Sequence, residues 1–272
     1  MQSIDYTSFK IIDNQPSKIE DTLVIEAPLQ ININAEPYTV VMRTPADDKE
    51  LIRGLLYAED IYKKKENLTL ELVKNKKFST IINVIIPKEQ LGKGYLNKRT
   101  LLSVSSCGIC GKKELEDIEL SGDALKNAFQ VSQKSIQKMY LKMQKAQNTF
   151  HLSGGSHAAA IFNINEEILT LKEDIGRHNA VDKCIGNLLF NNQLKEAKTM
   201  LVSGRVSYEI VSKAFFAKVP IIVAVSACSS LAVDFAKEFG ICLIGFNRDN
   251  KMTIYANPQY ISYDKENQRT TA

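Results

Sequence analysis

Apolar residues recur in short runs with a period near two along the first 90 positions. Residues 23–25, 29–34 and 38–42 read as strands, with Asn34-Ala35-Glu36-Pro37 as the turn between the last two. From 47 to 62, Leu51, Leu55, Ile61 and Tyr62 suggest a helix behind Asp47 or Asp48, either of which is placed to cap it. Residues 68–73 and 80–87 return to the strand pattern, joined by the basic, turn-like Lys74-Asn75-Lys76-Lys77, which reads as a solvated run. Between 88 and 106 the chain is polar and basic without a period. A loop of that length inside a compact chain usually serves function or motion.

After Asp123 the pattern changes. Leu125, Ala128, Phe129, Ser132, Ile136, Met139, Tyr140 and Met143 predict one long amphipathic helix. Short strands follow at 159–164 and 167–171, then a helix from about His178. The helical stripe Val181, Cys184, Ile185, Leu188 and Leu189 places Cys184 in the core and leaves Asp174, Arg177, His178 and Asp182 outside it. A β-α-β-α-β run comes next, with strands at 199–202, 220–226 and 241–246 and helices at 206–218 and 231–239. The last two strands are continuous apolar runs, as expected where both faces are covered. The expectation is an α/β fold with a largely parallel centre. It comprises a smaller β-rich N-terminal domain over 1–122 and an α/β domain over 123–272, divided where the pattern changes.

Composition narrows the class. With 272 residues, 44% hydrophobic and 24% charged, the chain is neither collagen-like, low-complexity nor disordered. A balance of 35 Lys+Arg against 31 Asp+Glu is too mild to call for a nucleic-acid partner. The opening MQSIDYTSFK has no basic and apolar signal regions, and the apolar stretch at 220–233 is too short and too serine-rich to span a membrane. A cytoplasmic protein without membrane association is therefore expected. Five cysteines at scattered spacing do not form a disulfide framework in a chain of this size. Three histidines and no tryptophan leave a short inventory of catalytic side chains.

The most chemically pointed segment is SSCGICG at 105–111, where Gly108 and Gly111 let the backbone turn tightly around Cys107 and Cys110. Paired thiols in such a turn can yield a usable thiolate, which serves as nucleophile or metal ligand. A structural zinc site wants four N/S ligands, and no second CxxC or close histidine pair exists, so no structural metal is expected. A thioredoxin-like dithiol would follow the first strand of a βαβ unit, whereas this pair ends a polar loop. Packing alone suits glycine-flanked loop cysteines poorly. Covalent thiol chemistry with an incoming group leads; the other readings stay open.

Polar clusters accompany the later elements. His157 sits among small residues in LSGGSHAAA (152–160), either projecting into a pocket as an acid/base or satisfied at a strand entry. EDIGRHNAVDK (173–183) gathers Arg177 and His178 at a helix start. Ser203-Gly204-Arg205 and Ser226-Ala227-Cys228-Ser229-Ser230 both occupy strand-to-helix junctions, the ligand edge of an open α/β sheet. Each alone reads as a helix cap; together they favour a phosphate-bearing ligand.

These motifs together resemble the FdhD family of sulfur-carrier accessory proteins of formate dehydrogenase. The matching pieces are EAPL (26–29), MRTP (42–45), SCGICG (106–111), GGSHAAA (154–160), EDIGRHNAVDK (173–183), SGR (203–205) and GFNR (245–248). The resemblance implies a cytidine-deaminase-like three-layer α/β/α fold for the C-terminal part and a cytoplasmic homodimer acting as a sulfurtransferase. Such a protein takes persulfide sulfur from a cysteine desulfurase and passes it to the Mo-bis(molybdopterin guanine dinucleotide) cofactor needed by formate dehydrogenase. The family's persulfide position falls on Cys107, with Cys110 as a relay or resolving thiol. Its cofactor-contacting segment falls on Phe246, Asn247, Arg248, Asp249, Asn250 and Lys251. Ser203, Gly204, Arg205, His157, Arg177 and His178 are further candidate contacts, and GDP is the expected fragment ligand. Relatives usually carry proline where this chain has Cys228, which argues against sulfur handling there. The alternative is a zinc-dependent deaminase-like hydrolase, or a zinc-stabilised binding module, using Cys107 and Cys110. The chain lacks the H-x-E and P-C-x-x-C pattern that a zinc deaminase requires.

Overall fold

The uninterrupted apolar strands foreseen from the sequence form the centre of a six-stranded sheet in the computed structural model, which describes residues 1–64, 68–76, 79–96, 122–126, 129–248 and 250–263. Cys107, Cys110 and Asp249 lie outside the described residues.

The chain opens with a hairpin that the hydrophobic pattern does not reveal, β1 (Ser3–Ile12) and β2 (Gln15–Val24). Asp13 and Asn14 both take left-handed φ values, 50° and 62°, as a two-residue hairpin turn requires. A four-stranded sheet follows, built from β3 (Ala27–Ile33), β4 (Glu36–Arg43), β5 (Thr69–Lys76) and β6 (Ser79–Ile85) in the order β4-β3-β6-β5. The first turn of this sheet is tighter than expected: Asn34 and Ala35 make it alone, and Glu36 and Pro37 already belong to β4. Lys74, Asn75 and Lys76 are likewise strand rather than turn, exposed along the end of β5. Helix α1 (Asp48–Ala58) covers this sheet with Leu51, Ile52, Leu55 and Leu56 against Leu29, Ile31, Ile33, Ile82 and Val84. Asp47 holds the N-cap position but makes no capping hydrogen bond. Its carboxylate instead pairs with Lys172 at 2.6 Å, and that of Asp48 pairs with Arg43 at 2.8 Å.

The second half begins with β7 (Val131–Ser132) and α2 (Gln133–Ala146), so the helix expected from 125 starts eight residues later. Ser132 is extended and its hydroxyl accepts the Ser135 N–H at 3.0 Å, which sets the start. Leu125 instead donates its N–H to the Phe239 carbonyl, outside any helix. Then come α3 (Asn148–Ser153), β8 (His157–Phe162), β9 (Ile168–Asp174), α4 (Arg177–Phe190), β10 (Thr199–Val202), α5 (Tyr208–Phe216), β11 (Ile221–Ala224), α6 (Ser230–Glu238), β12 (Cys242–Arg248), β13 (Lys251–Ala256) and β14 (Ile261–Ser262). The six-stranded sheet runs β13-β12-β11-β10-β8-β9. Only β10, β11 and β12 are mutually parallel, while β8, β9 and β13 run antiparallel to their neighbours. The parallel centre is thus three strands wide.

Alternation along these strands builds a core on each face. Ala159, Ile161, Met200, Val202, Ile222, Ala224 and Leu243 face α4, α5 and α6. Ala160, Phe162, Leu201, Ile221, Val223, Cys242 and Ile244 face α2, through Ile136, Met139 and Met143. The fold is therefore a mixed α/β architecture in three layers, with the four-stranded sheet attached through α1. That helix lies against α4 at two glycines: a Cβ on Gly54 would fall 1.9 Å from the Asp182 carbonyl oxygen, and one on Gly186 1.9 Å from that of Glu50. Among the described residues no helix is long and apolar enough to cross a membrane.

Candidate functional site

One end of the six-stranded sheet collects the polar motifs. His157 opens β8 and pairs across the ladder with Asp174, the last residue of β9. Arg177 and His178 form the first turn of α4, and Ser203-Gly204-Arg205 leaves β10 toward α5. This is the carboxyl end of the parallel strands, where open α/β sheets bind ligands.

Half of the EDIGRHNAVDK motif builds the scaffold and half faces the site. Glu173 is buried, and its carboxylate accepts the N–H groups of Thr149 and Phe150 and the Ser156 hydroxyl, each at 2.8 Å, which fixes the turn before His157. Asp174 is fully buried. It accepts the N–H groups of Thr44 and Gly176 and the Asn179 amide, and meets the Lys183 ammonium at 2.7 Å. Asn179 and Lys183 donate in turn to the Met42 and Thr44 carbonyls, so the MRTP segment is bonded directly to this motif. Asp182 is buried as well and binds Lys213 at 2.7 Å. Asp174 and Asp182 were expected outside the helix's apolar stripe, gathered with Arg177 and His178 near the helix start. They are buried because each has a lysine brought to it. Arg177 and His178 remain partly exposed toward the sheet end.

These two side chains, with His157, Ser203, Gly204 and Arg205, are neighbours at this end of the sheet. A Cβ on Gly204 would come within 3.2–3.3 Å of Arg177 Cδ and Cβ and of His157 Nδ1, so the buried glycine lets these two side chains close in on the backbone. The Ser203 hydroxyl accepts the Ala158 N–H at 2.9 Å and lies 3.4 Å from His157 Nδ1. Partial burial pushes the His157 imidazole pKa down. Arg177, His178 and Arg205 add to this against the opposing pull of Asp174. His157 is therefore a neutral ring at neutral pH, within the field of surrounding cations. Ser207 and Glu209 join this cluster and were not foreseen: His178 Nε2 lies 3.1 Å from each, at Ser207 Oγ and Glu209 Oε2. Burial alone would raise the Glu209 carboxyl; His178, the Ser207 hydroxyl and Lys213 outweigh it and hold the pKa below its usual value. The sequence signal was Ser-x-Glu at a helix start, visible as a cap but silent about the histidine it meets.

The second predicted segment behaves differently. β12 does not end at Phe246 but continues to Arg248 through a bulge, and hairpins into β13. Phe246 has a left-handed φ of 52°, uncommon for a bulky residue, and donates its N–H to the Ser226 carbonyl while the residue is 39% exposed. Asn247 points inward, fully buried, with Oδ1 accepting from Gln137 Nε2 at 2.9 Å and Nδ2 unpartnered. Arg248, Asn250 and Lys251 are exposed at the hairpin end. Because β11 lies between β12 and β10, this hairpin and the Ser203–Arg205 segment stand two strand spacings apart, about 10 Å. Cys228 occupies the loop between them, its Sγ 3.1 Å from where a Cβ on Gly245 would sit; desolvation pushes its thiol up to about 12. Among the described residues no three His, Cys, Asp or Glu side chains gather closely enough to hold a metal.

The sequence profile of the FdhD/NarQ family matches residues 24–262. The chain belongs to the FdhD/NarQ family. It is 38% identical over 253 residues to the sulfur carrier protein FdhD of Sulfolobus acidocaldarius, covering 93% of this chain and 96% of that one. It is 36% identical to the sulfur carrier protein FdhD of Streptomyces coelicolor, covering 93% of each. A crystal structure from Desulfotalea psychrophila, described as a candidate formate dehydrogenase accessory protein, shares the fold with a TM-score of 0.74 at 23% identity. The match covers 96% of this chain and 100% of that one. The FdhD/NarQ match begins at the last residue of β2, so the β1–β2 hairpin precedes it.

Proposed function

We propose that this protein carries sulfur as a persulfide on Cys107 and delivers it to the Mo-bis(molybdopterin guanine dinucleotide) cofactor destined for formate dehydrogenase. The relatives' name, sulfur carrier protein FdhD, supports the carrier half. The Cys107 thiolate attacks the terminal sulfur of a cysteine desulfurase persulfide. A new S–S bond forms as the donor's breaks, and the desulfurase thiolate leaves. Cys110 then serves as relay or as the thiol that resolves the persulfide. The protein works as a cytoplasmic homodimer, and the cytidine-deaminase-like description of its α/β part belongs to the same reading.

The observation that supports the acceptor half most is the convergence of His157, Arg177, His178 and Ser203-Gly204-Arg205, from three stretches of sequence, at the carboxyl edge of the parallel strands. Guanine dinucleotide is an anionic substrate, and cations and free main-chain N–H groups are what its phosphates need. Exposed Arg248 and Lys251, beside the displaced Phe246 ring, supply a second polar and aromatic surface suited to the base.

Persulfide-trapping mass spectrometry after incubation with a cysteine desulfurase and cysteine tests the carrier. A trapped sulfur on Cys107, lost in Cys107→Ser together with formate dehydrogenase activation, is expected. Undiminished activation by Cys107→Ser refutes it. Calorimetry with GDP on wild type, Arg205→Ala and Arg248→Ala tests the acceptor edge. Weaker binding at unchanged melting temperature supports it, and wild-type affinity in both variants removes these residues from the mechanism.

A further inference from the structure

The β1–β2 hairpin is a sheet of two strands, and among the described residues no third strand joins it. Two strands alone are marginally stable in water, and a third strand or a packed face normally secures them. The base of this arm is fixed to the body. Ile25 donates its N–H to the Gln2 carbonyl, the Thr149 hydroxyl donates to Gln2 Oε1, and Val24 packs over Gly155. Beyond that base the apolar side chains stay in water, with Phe9 72% and Ile11 68% exposed.

The two edges of the arm differ. Around the Asp13-Asn14 turn, Ile12 and Gln15 form the first hydrogen-bonded pair, and such pairs then alternate along the ladder. The bond from Ile25 to Gln2 falls on the same alternation. Asp5, Thr7, Phe9 and Ile11 consequently turn their main-chain N–H and C=O groups outward from β1, as Pro16, Lys18, Glu20 and Thr22 do from β2. Pro16 has no N–H to offer, and α3 packs mainly against β2, so the β2 edge is blunted. The β1 edge carries neither proline nor bulge. The β3–β4, β5–β6, β8–β9 and β12–β13 ladders all shift register, whereas β1–β2 runs ten pairs without a shift.

The β1 edge also matches itself. Antiparallel pairing about a two-fold axis keeps each face of the strand on its own side, so outward residues meet outward residues. With the axis at Ser8, Thr7 meets Phe9 of the second copy, Tyr6 meets its Lys10, and Ile4 meets its Ile12. Ile4, Tyr6 and Ile12 share one face of the arm with Ile19 and Leu23 of β2, so the apolar faces of two arms join into one. Lys10 gains an aromatic face in Tyr6. Asp5 is already bonded by Thr22 at 2.7 Å and Glu20 by Thr7 at 2.6 Å, so both carboxylates are held within the arm.

We propose that β1 pairs edge to edge with β1 of a second copy of this chain, forming a four-stranded intermolecular sheet in the order β2-β1-β1-β2. This rests on the homodimer included in the proposed function and assigns the surface that makes it. Pairing uses the β1 edge of each copy and leaves only the blunted β2 edges outside, so assembly closes at two.

Sedimentation equilibrium of the full chain reads the pairing. Thr7→Pro removes an outward N–H without touching the β1–β2 ladder, and Ile12→Glu sets a carboxylate against Ile4 of the second copy. Each is expected to weaken the dimer at least about tenfold, the scale of a lost hydrogen bond or a charge left against an apolar neighbour. If Thr7→Pro unsettles the arm itself, Ile12→Glu still reads the edge. In a Cys107→Ser/Cys110→Ser background, Ser8→Cys is expected to link two copies under oxidised glutathione. Opposed residues at the axis stand about 4.5–5.5 Å apart, within disulfide reach. Ser17→Cys, on the outer strand, is expected to give no link. A wild type that sediments as a monomer overturns the homodimer and the arm pairing together. A dimer that keeps its affinity in both variants and gives no link through Ser8→Cys overturns the arm pairing and leaves the homodimer standing.

Discussion

The carboxylate of Asp174 and the ammonium of Lys183 meet at 2.7 Å with neither side chain exposed to solvent. The pair lies where the α/β half meets the N-terminal sheet, because Asp174 also accepts the Thr44 N–H and Lys183 donates to the Thr44 carbonyl. Removing one partner leaves a buried charge without its match. Asp174→Asn and Lys183→Met are each expected to cost about 3–5 kcal/mol in urea denaturation. The double variant should cost clearly less than the sum, since the uncompensated charge is gone. Additive losses would show that the two groups act independently.

Helices α1 and α4 approach through Gly54 and Gly186, where a Cβ would collide with the Asp182 and Glu50 carbonyl oxygens at 1.9 Å. Backbone cannot rotate out of the way as a side chain can. Gly54→Ala or Gly186→Ala should therefore cost about 3 kcal/mol, by forcing the helices apart. Gly204→Ala meets only side-chain atoms, at 3.2–3.3 Å, and should leave the melting temperature nearly unchanged while weakening GDP binding. A thermal melt of the three variants separates the two helix-packing glycines from Gly204.

Burial raises the thiol pKa of Cys184, Cys228 and Cys242 to about 12 each. The reactive thiolate is then scarce at neutral pH. Iodoacetamide added to the folded protein should leave these three unmodified while Cys107 and Cys110 react, as read by peptide mass spectrometry. Early alkylation of Cys228 would contradict its placement in the loop beside Gly245.

His157 titrates below its ordinary value of 6.5 because of burial and the cations around it. As pH falls through that value the unfolded chain takes up a proton that the folded chain resists, so stability declines toward acid. Above it the effect vanishes. His157→Gln should flatten the loss of stability between about pH 5 and 6.5, measured by chemical denaturation at several pH values. A slope identical to wild type would place the acid sensitivity elsewhere.

Much of the architecture was legible from the chain alone. The apolar runs that became β11 and β12 announced strands covered on both faces, and alternation along β3 matches the side facing α1. Local chemistry likewise singled out the strand-end junctions and the EDIGRHNAVDK segment, which the fold brings to one end of the sheet. The β1–β2 hairpin escaped because its apolar residues, Tyr6, Phe9, Ile11 and Ile12 among them, remain largely exposed and define no buried face. The helix start at Gln133 escaped because Leu125 keeps helical spacing while its N–H is taken by Phe239, more than a hundred positions away.

Tertiary structure alone decided which charges are buried and which face the site. Periodicity reports how often apolar residues recur, so it left Asp174 and Asp182 beside Arg177 and His178 on the polar side of one helix. A carboxylate can leave water only if a cation and hydrogen-bond donors arrive with it, and Lys213 reaches Asp182 from a helix 31 residues on. The same holds for Glu209, whose position on His178 depends on how α4 and α5 meet. The sequence by itself determined the strands, the core-facing stripes and the motifs; the crossing of its helices determined which of those motif residues are buried scaffold and which stay partly exposed at the end of the sheet.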